Sequence, residues 1–118
     1  MDFRQQEGRI AETILTEYFL RLDYYVFAPL ALHGPIDLIA VHAKTGDVVL
    51  LDAKKDRFRN LTDRPVPHRI HRKRKPLQKK AGVRIAYVDI HTRSVHIVPS
   101  LDKPCTPEPD VVGNIRAD

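Results

Sequence analysis

The stretch from residue 37 to residue 54 constrains the fold of this chain most, because two apolar runs flank a turn and the second run ends in charged residues. The turn spans residues 44–47 and contains Gly46, and glycine adopts the positive φ of a tight turn without a steric penalty. Asp47 also favours a turn, because its side chain can bond its own backbone. The runs at residues 36–41 and 47–54 are therefore predicted to be the two strands of a β-hairpin.

The second of these strands ends in an acid and a base, Asp52 and Lys54. Side chains alternate between the two faces of a strand, so both are expected on the same face as Val48 and Leu50. A buried charge is costly unless it is paired or bound to a metal ion, and packing alone does not call for one here. The two charged residues therefore indicate a functional site, with an ordinary surface ion pair as the alternative.

An amphipathic helix is predicted over residues 4–22, because apolar residues recur at steps of three and four and form one stripe. The stripe consists of Ile10, Ala11, Ile14, Leu15, Tyr18, Phe19 and Leu22. Glu12 lies at the edge of this stripe, one turn after Gly8, so its carboxylate is expected to lean over the sheet. From the helix alone, a surface glutamate that favours helix formation is the simpler interpretation.

Further strands are predicted at residues 24–28, 83–90 and 94–98, since these segments alternate in polarity or are rich in β-branched and aromatic residues. A short helix is predicted over residues 75–81, with Pro76 at its first position and Gly82 as its stop. These elements predict one α/β domain in residues 1–98. Residues 99–118 are rich in proline and are predicted to form a mobile tail.

The chain carries 20 Lys and Arg against 15 Asp and Glu, and its pI of about 9.6 favours an anionic partner. Residues 54–84 alone contain thirteen Lys or Arg and two acids. A charged run is ordinarily a solvated surface, but this one directly follows the predicted site. The candidate nucleic-acid-binding residues are Lys55, Arg57, Arg59, Arg69, Arg72, Lys73, Arg74, Lys75, Lys79 and Lys80.

Three short motifs occur in a recognisable order: Gly34-Pro35-Ile36-Asp37, then Asp52-Ala53-Lys54, with Glu12 on a preceding helix. Residues 8–90 resemble the PD-(D/E)xK nuclease superfamily. The size of the chain and the Gly8-x-x-x-Glu12 helix are most similar to the archaeal-type Holliday junction resolvases and small phage or mobile-element endonucleases. In many of those resolvases the acid directly follows the proline, whereas here Ile36 separates them. The resemblance implies a restriction-endonuclease-like central mixed sheet of about five strands, flanked by helices.

The resemblance also implies a set of site residues. Glu12, Asp37, Asp52 and the backbone carbonyl of Ala53 would bind Mg²⁺, with Mn²⁺ able to substitute, because hard ions prefer oxygen ligands. Lys54 would orient the attacking hydroxide and offset charge on the phosphate. Gln78, on the short helix, would hold the attacking water or a phosphate, with a polar surface residue as the alternative.

The function implied is a metal-dependent DNA endonuclease that is structure-selective on branched or four-way DNA and acts as a homodimer. One alternative is a homing, restriction-like or repair endonuclease of the same superfamily, and another is a non-catalytic nucleic-acid-binding module. Cys105 is the only cysteine, so neither an intrachain disulfide nor a cysteine-based zinc site is expected. With no apolar run near the ~20 residues that span a bilayer, we expect no membrane association and a cytoplasmic, nucleoid-associated or phage-encoded protein.

Overall fold

The computed structural model describes residues 3–31, 33–59 and 68–108, and within them has an α/β fold with an open five-stranded mixed sheet and two helices. In chain order the elements are α1 (Phe3–Arg21), β1 (Tyr24–Phe27), β2 (Leu38–His42), β3 (Val48–Lys55), β4 (Phe58–Arg59), β5 (His68–Arg69), α2 (Pro76–Ala81), β6 (Val83–Val88) and β7 (Val95–Val98). The predicted fold class and the predicted five-stranded sheet are confirmed.

The main sheet has the strand order β1-β2-β3-β6-β7. The first three strands form antiparallel pairs, in which Tyr24 lies opposite His42 and Leu38 lies opposite Leu51. β6 runs parallel to β3, and β7 returns antiparallel to β6. The crossover between β3 and β6 contains α2 and the small antiparallel ribbon of β4 and β5. Most of the basic run identified in the sequence therefore belongs to this crossover.

Helix α1 packs on one face of the sheet and builds the core. Its buried apolar residues are Ala11, Ile14, Leu15 and Phe19. They cluster with strand residues Leu38, Ala40, Val49, Leu51, Ala86, Val88 and Ile97. Because full burial of one large apolar side chain contributes about 1.5–3 kcal/mol, this layer supplies much of the stability. Ile10 and Leu22, predicted to belong to the stripe, are exposed. At ~100° per residue Ile10 points away from the buried side, and Leu22 follows the last helical residue.

The opposite face of the sheet is only partly covered. Helix α2 packs against β6, whereas Tyr25 and Phe27 on the edge strand β1 are exposed. Neither helix in the described part of the chain is long and apolar enough to cross a membrane.

The turn between β2 and β3 has the geometry that its sequence predicts. Gly46 has a φ of 76°, and its N–H donates to the carbonyl of His42 at 2.9 Å. The Nδ1 atom of His42 accepts hydrogen bonds from the N–H groups of Lys44 and Thr45. The predicted hairpin is therefore confirmed, and its register is fixed by a glycine that takes a positive φ.

The chain after β7 packs against α2 and β6. The guanidinium of Arg84 donates hydrogen bonds to the carbonyls of Pro99, Ser100 and Lys103. The N–H of Glu108 donates to a carbonyl of α2 at 2.9 Å. Residues 99–108 therefore make specific contacts, and residues 109–118 lie outside the described part of the chain. The mobility of the tail stays a prediction.

Helix α2 ends where this segment crosses it. Gly82 has a φ of 75°, as a C-terminal glycine cap does. A Cβ atom at Gly82 would lie 2.7 Å from the backbone carbonyl oxygen of Cys105, whereas one at Gly46 would meet nothing within 4 Å. The two glycines thus share a positive φ but differ in the space around them.

We expect Gly82→Ala to destabilise the protein more than Gly46→Ala. The left-handed backbone costs either alanine about 1–2 kcal/mol, and the clash with Cys105 should add about 1–3 kcal/mol at position 82. Urea unfolding of the two variants measures the difference. Equal losses of stability would mean that residues 99–108 do not pack on α2 in solution.

Candidate active site

Two aspartates meet where β2 begins and β3 ends. The N–H of Asp37 donates to the carbonyl of Leu51 at 2.8 Å, which extends the pairing of β2 with β3 by one residue. This pairing sets Asp37 beside Asp52, and their carboxyl groups share a hydrogen bond. Asp37 also accepts a hydrogen bond from the N–H of Ala53 at 2.8 Å. The strand register therefore brings together two acids that are fifteen residues apart in the sequence.

The environment of Asp37 favours its protonated form. Burial is the largest cause, and the hydrogen bond to Asp52 and the nearby charges of Asp52 and Glu12 act in the same direction. The N–H of Ala53 opposes them, and the net effect raises the pKa of Asp37 to about 7. A carboxyl group whose pKa is raised this far by burial and by neighbouring acids is common at functional sites.

Glu12 approaches the two aspartates from α1. Burial raises the pKa of its carboxyl, the positive charge of Arg9 opposes that effect, and the charge of Asp52 adds to it. The three predicted carboxylates thus lie within electrostatic range of one another. Among the described residues, however, no three His, Cys, Asp or Glu side chains are grouped closely enough to hold a metal ion.

The donor chemistry at this end of the sheet nevertheless suits a hard divalent cation. Asp37 and Asp52 offer carboxylate oxygens, and a cation between them would relieve the repulsion that raises the pKa of Asp37. Glu12 would supply the third carboxylate. The residue types therefore fit Mg²⁺ or Mn²⁺. In the described part of the chain, however, Glu12 does not lie close enough to Asp37 and Asp52 to form a three-carboxylate group.

Lys54 lies beside the acids, as strand alternation predicts. Its Nζ is 3.6 Å from Oδ2 of Asp52, and about a third of its side chain is exposed while that of Asp52 is almost fully buried. The ammonium group is therefore near the carboxylates and still open to a ligand from solvent.

Gln78 is buried on α2 and holds Asp52 in place. Its Nε2 donates to Oδ2 of Asp52 at 2.8 Å and to the carbonyl of Pro35 at 3.0 Å, and its Oε1 accepts from the N–H of Lys75 at 2.8 Å. The side chain of Gln78 is thus occupied by protein groups, and its role here is to orient Asp52. The sequence offered a signal for this, because a glutamine at the third helical position commonly reaches back to the N-cap N–H.

The structure divides the predicted nucleic-acid-binding residues into two groups. Lys55 forms a 2.7 Å ion pair with Glu7, Arg69 binds Asp56 through two hydrogen bonds, and Arg74 contacts Val83, Cys105 and Glu108. These three cations are thus engaged with protein groups. The exposed ones are Arg57, Arg72, Lys73, Lys75, Lys79 and Lys80, and Lys80 also has an interaction within the protein. Arg59 belongs to β4.

Sequence reasoning missed the acidic partners of these cations. Glu7 falls on the same helical face as Ala11 and Ile14, so the spacing that predicted the core also placed Glu7 in it. Lys55 follows Lys54 and therefore points to the opposite face of β3, toward α1. The ion pair between Glu7 and Lys55 fastens the start of α1 to the end of β3.

No protein family model matches this chain, and no curated protein or solved structure matches it either. The functional interpretation of the site therefore depends on its residues and their geometry.

Asp37→Asn should change how stability depends on pH. Between about pH 4 and pH 7 the folded protein keeps a proton on Asp37, because the pKa of this group is raised, whereas the unfolded chain has already lost that proton. The stability of the wild type therefore falls as the pH rises through that range. The asparagine removes this loss. Since Asp37 is only half-buried, we expect the variant to be more stable by about 1 kcal/mol at pH 8 and equally stable near pH 4.

Urea unfolding in EDTA at several pH values measures this effect, and Asp89→Asn provides a control of opposite sign. Hydrogen bonds from the N–H groups of Thr92 and His91 lower the pKa of Asp89. The ionised Asp89 therefore stabilises the folded protein at any pH above the pKa that this group has in the unfolded chain, and that stabilisation is lost at low pH. Asp89→Asn should consequently be less stable than the wild type at pH 8. A difference for Asp37→Asn that does not vary with pH would contradict the raised pKa.

Proposed function

We propose that this protein is a metal-dependent DNA endonuclease that hydrolyses phosphodiester bonds and acts on branched DNA in the manner of Holliday junction resolvases. The observation that supports this most is the cluster at the end of β3, where Asp37, Asp52 and Lys54 lie together and Glu12 approaches from α1. The cluster contains the residue types that the resemblance to PD-(D/E)xK nucleases implies, in an environment that raises carboxyl pKa values.

The site residues have distinct roles in this proposal. Asp37, Asp52, Glu12 and the carbonyl of Ala53 would hold Mg²⁺ or Mn²⁺. When bound, such an ion lowers the pKa of water and neutralises charge on phosphoryl oxygens. Lys54 brings a partly exposed positive charge to the same place, where it stabilises the negative charge that develops on the phosphate. Gln78 keeps Asp52 oriented.

A structural ion pair is the simplest alternative for Asp52 and Lys54, and such pairs contribute only about 0–1 kcal/mol at a surface. Asp52 is almost fully buried, and it has a second acid as a direct neighbour. A pair kept for stability would not be placed against Asp37, because the extra carboxyl group opposes ionisation. The arrangement therefore favours a site that uses the carboxylates.

The surface of the crossover would bind the DNA backbone. Arg72, Lys73 and Lys75 are exposed just before α2, which carries Gln78. Lysine and arginine contacts to phosphates provide affinity without reading sequence. The resemblance alone supports two further parts of the proposal, which are selectivity for branched DNA and a homodimer that makes paired cuts. DNA of this kind implies that the protein acts inside the cell.

Cleavage assays test the nuclease proposal directly. We expect the wild-type protein with Mg²⁺ or Mn²⁺ to make paired nicks in a labelled four-way junction, and to make none in EDTA. Asp52→Asn should abolish cleavage, and Lys54→Met should lower the rate by about 10²–10⁴-fold. Lys44→Met is the matched control, because this exposed lysine lies in the turn at the other end of β3 and should leave the rate unchanged.

Other results would revise the proposal. Cutting of linear duplex as well as the junction would favour a homing, restriction-like or repair endonuclease. Binding without cleavage of either substrate, independent of metal, would favour a non-catalytic nucleic-acid-binding module.

The salt dependence of DNA binding tests the proposed surface. Neutralising Arg72, Lys73 and Lys75 to glutamine should make the slope of log affinity against log salt shallower by about 3, since each lost phosphate contact removes about 0.9. Fluorescence anisotropy in EDTA measures the slope. The exposed residues Lys44 and Lys103, likewise changed to glutamine, provide the control. An unchanged slope in the triple variant would show that this surface does not bind DNA.

A further inference from the structure

A cleft of about 560 Å³ opens beside two of the site carboxylates. Gly8, Arg9 and Glu12 of α1 line one part of it, Pro29 and His33 from the loop after β1 line another, and Asp37 completes its border. This volume lies within the ~300–1,000 Å³ typical of pockets for small ligands. The cleft therefore has room for a molecule of moderate size in direct reach of Glu12 and Asp37.

The helical part of the cleft is shaped by a glycine that the fold does not require. Positions 8, 9 and 12 are neighbours on the helix surface, because residues three and four apart share a face. A Cβ atom at Gly8 would meet nothing within 4 Å, and the residue does not have a positive φ. Glycine lowers the stability of a helix interior, and the space beside Gly8 is open to a molecule that enters the cleft.

The chemistry of the lining points to a nucleotide. Arg9 is exposed and lies close enough to Glu12 to lower the pKa of that carboxyl, so a cation stands at the edge of the acidic cluster. His33 is exposed and adds imidazole nitrogens. The neighbouring residues Ala28, Pro29 and Ala31 provide small apolar side chains. A phosphate suits Arg9 and His33, and a sugar or a base suits the apolar wall of alanine and proline side chains.

We propose that this cleft binds one separated DNA strand next to the bond to be cut, with Arg9 on its phosphate and a nucleotide in the space left open by Gly8. This rests on the proposed nuclease function and deepens it by naming the form of the substrate. A strand enters the cleft without its complement, because a volume of about 560 Å³ is too small to enclose a base pair together with both of its backbones. Unpaired nucleotides at a branch point would therefore be preferred over a continuous duplex.

The first test measures binding alone, so that it does not depend on catalysis. We expect 5′-phosphorylated tetrathymidylate, titrated in EDTA, to shift the amide NMR signals of Gly8, Arg9 and Ala31. Gly8→Leu should fill the cleft and weaken binding about tenfold or more, and Arg9→Gln should have a similar effect through the lost charge. Gln6→Leu adds the same side chain at an exposed position of α1 outside the cleft and should leave binding unchanged.

Thermal unfolding checks that the variants are folded, and we expect the Gly8 variants to be at least as stable as the wild type, since leucine and alanine both favour a helix over glycine. Gly8→Ala, with the smallest possible side chain, should retain most of the binding. Shifts confined to residues 71–80, or equal binding by wild type and Gly8→Leu, would overturn the inference.

The cleavage assay separates this inference from the nuclease proposal. If the wild type cuts DNA, Gly8→Leu should lose cleavage while keeping its affinity for duplex DNA. Cleavage by Gly8→Leu at the wild-type rate would refute the binding of a strand in the cleft. If the wild type cuts no substrate but tetrathymidylate binds as described, the nuclease proposal fails and the strand-binding cleft stands.

Discussion

The contact between Asp37 and Asp52 is the interaction on which the rest of the site depends. Two acids this close oppose ionisation, and burial of Asp37 strengthens the effect. The fold offsets the cost with groups that come from different elements: the N–H of Ala53 on β3, the amide of Gln78 on α2, and the ammonium of Lys54. The fold therefore tolerates the pair because three contacts converge on it. Weakening any of these contacts would raise the cost of holding the two carboxyl groups together.

The contact with Gln78 links the site to the far end of the chain. Helix α2 has six residues, which is too short to be stable alone, so its position depends on tertiary contacts. Arg74 and Arg84 hold the segment after β7, and that segment crosses the end of α2 at Gly82. The cations of the basic crossover thus fall into two sets. Arg74 braces α2 against the sheet, and others lie on the surface, where the proposed function needs them.

Local patterns were sufficient to predict the parts of the site that lie on single strands or helices. Alternation along β3 placed Asp52 and Lys54 on one face, and the turn at Gly46 fixed the hairpin that brings Asp37 alongside. The same patterns did not predict the pairing of Glu7 with Lys55, whose members are 48 residues apart in the sequence. Nothing in a local period identifies such a partner. Counting basic residues therefore overstated the charge that is left for nucleic acid.

Two features that lower stability lie side by side in the structure. Gly8 weakens α1 where no packing partner needs the space, and the raised pKa of Asp37 opposes folding as the pH rises toward 7. Both border the same cleft. Features that lower stability persist where function depends on them. Two such features at one place support a functional site more strongly than either would alone. Their coincidence beside Glu12 fits the proposed site, at which a cation would relieve the repulsion among the carboxylates and a bound strand would use the space that Gly8 leaves open.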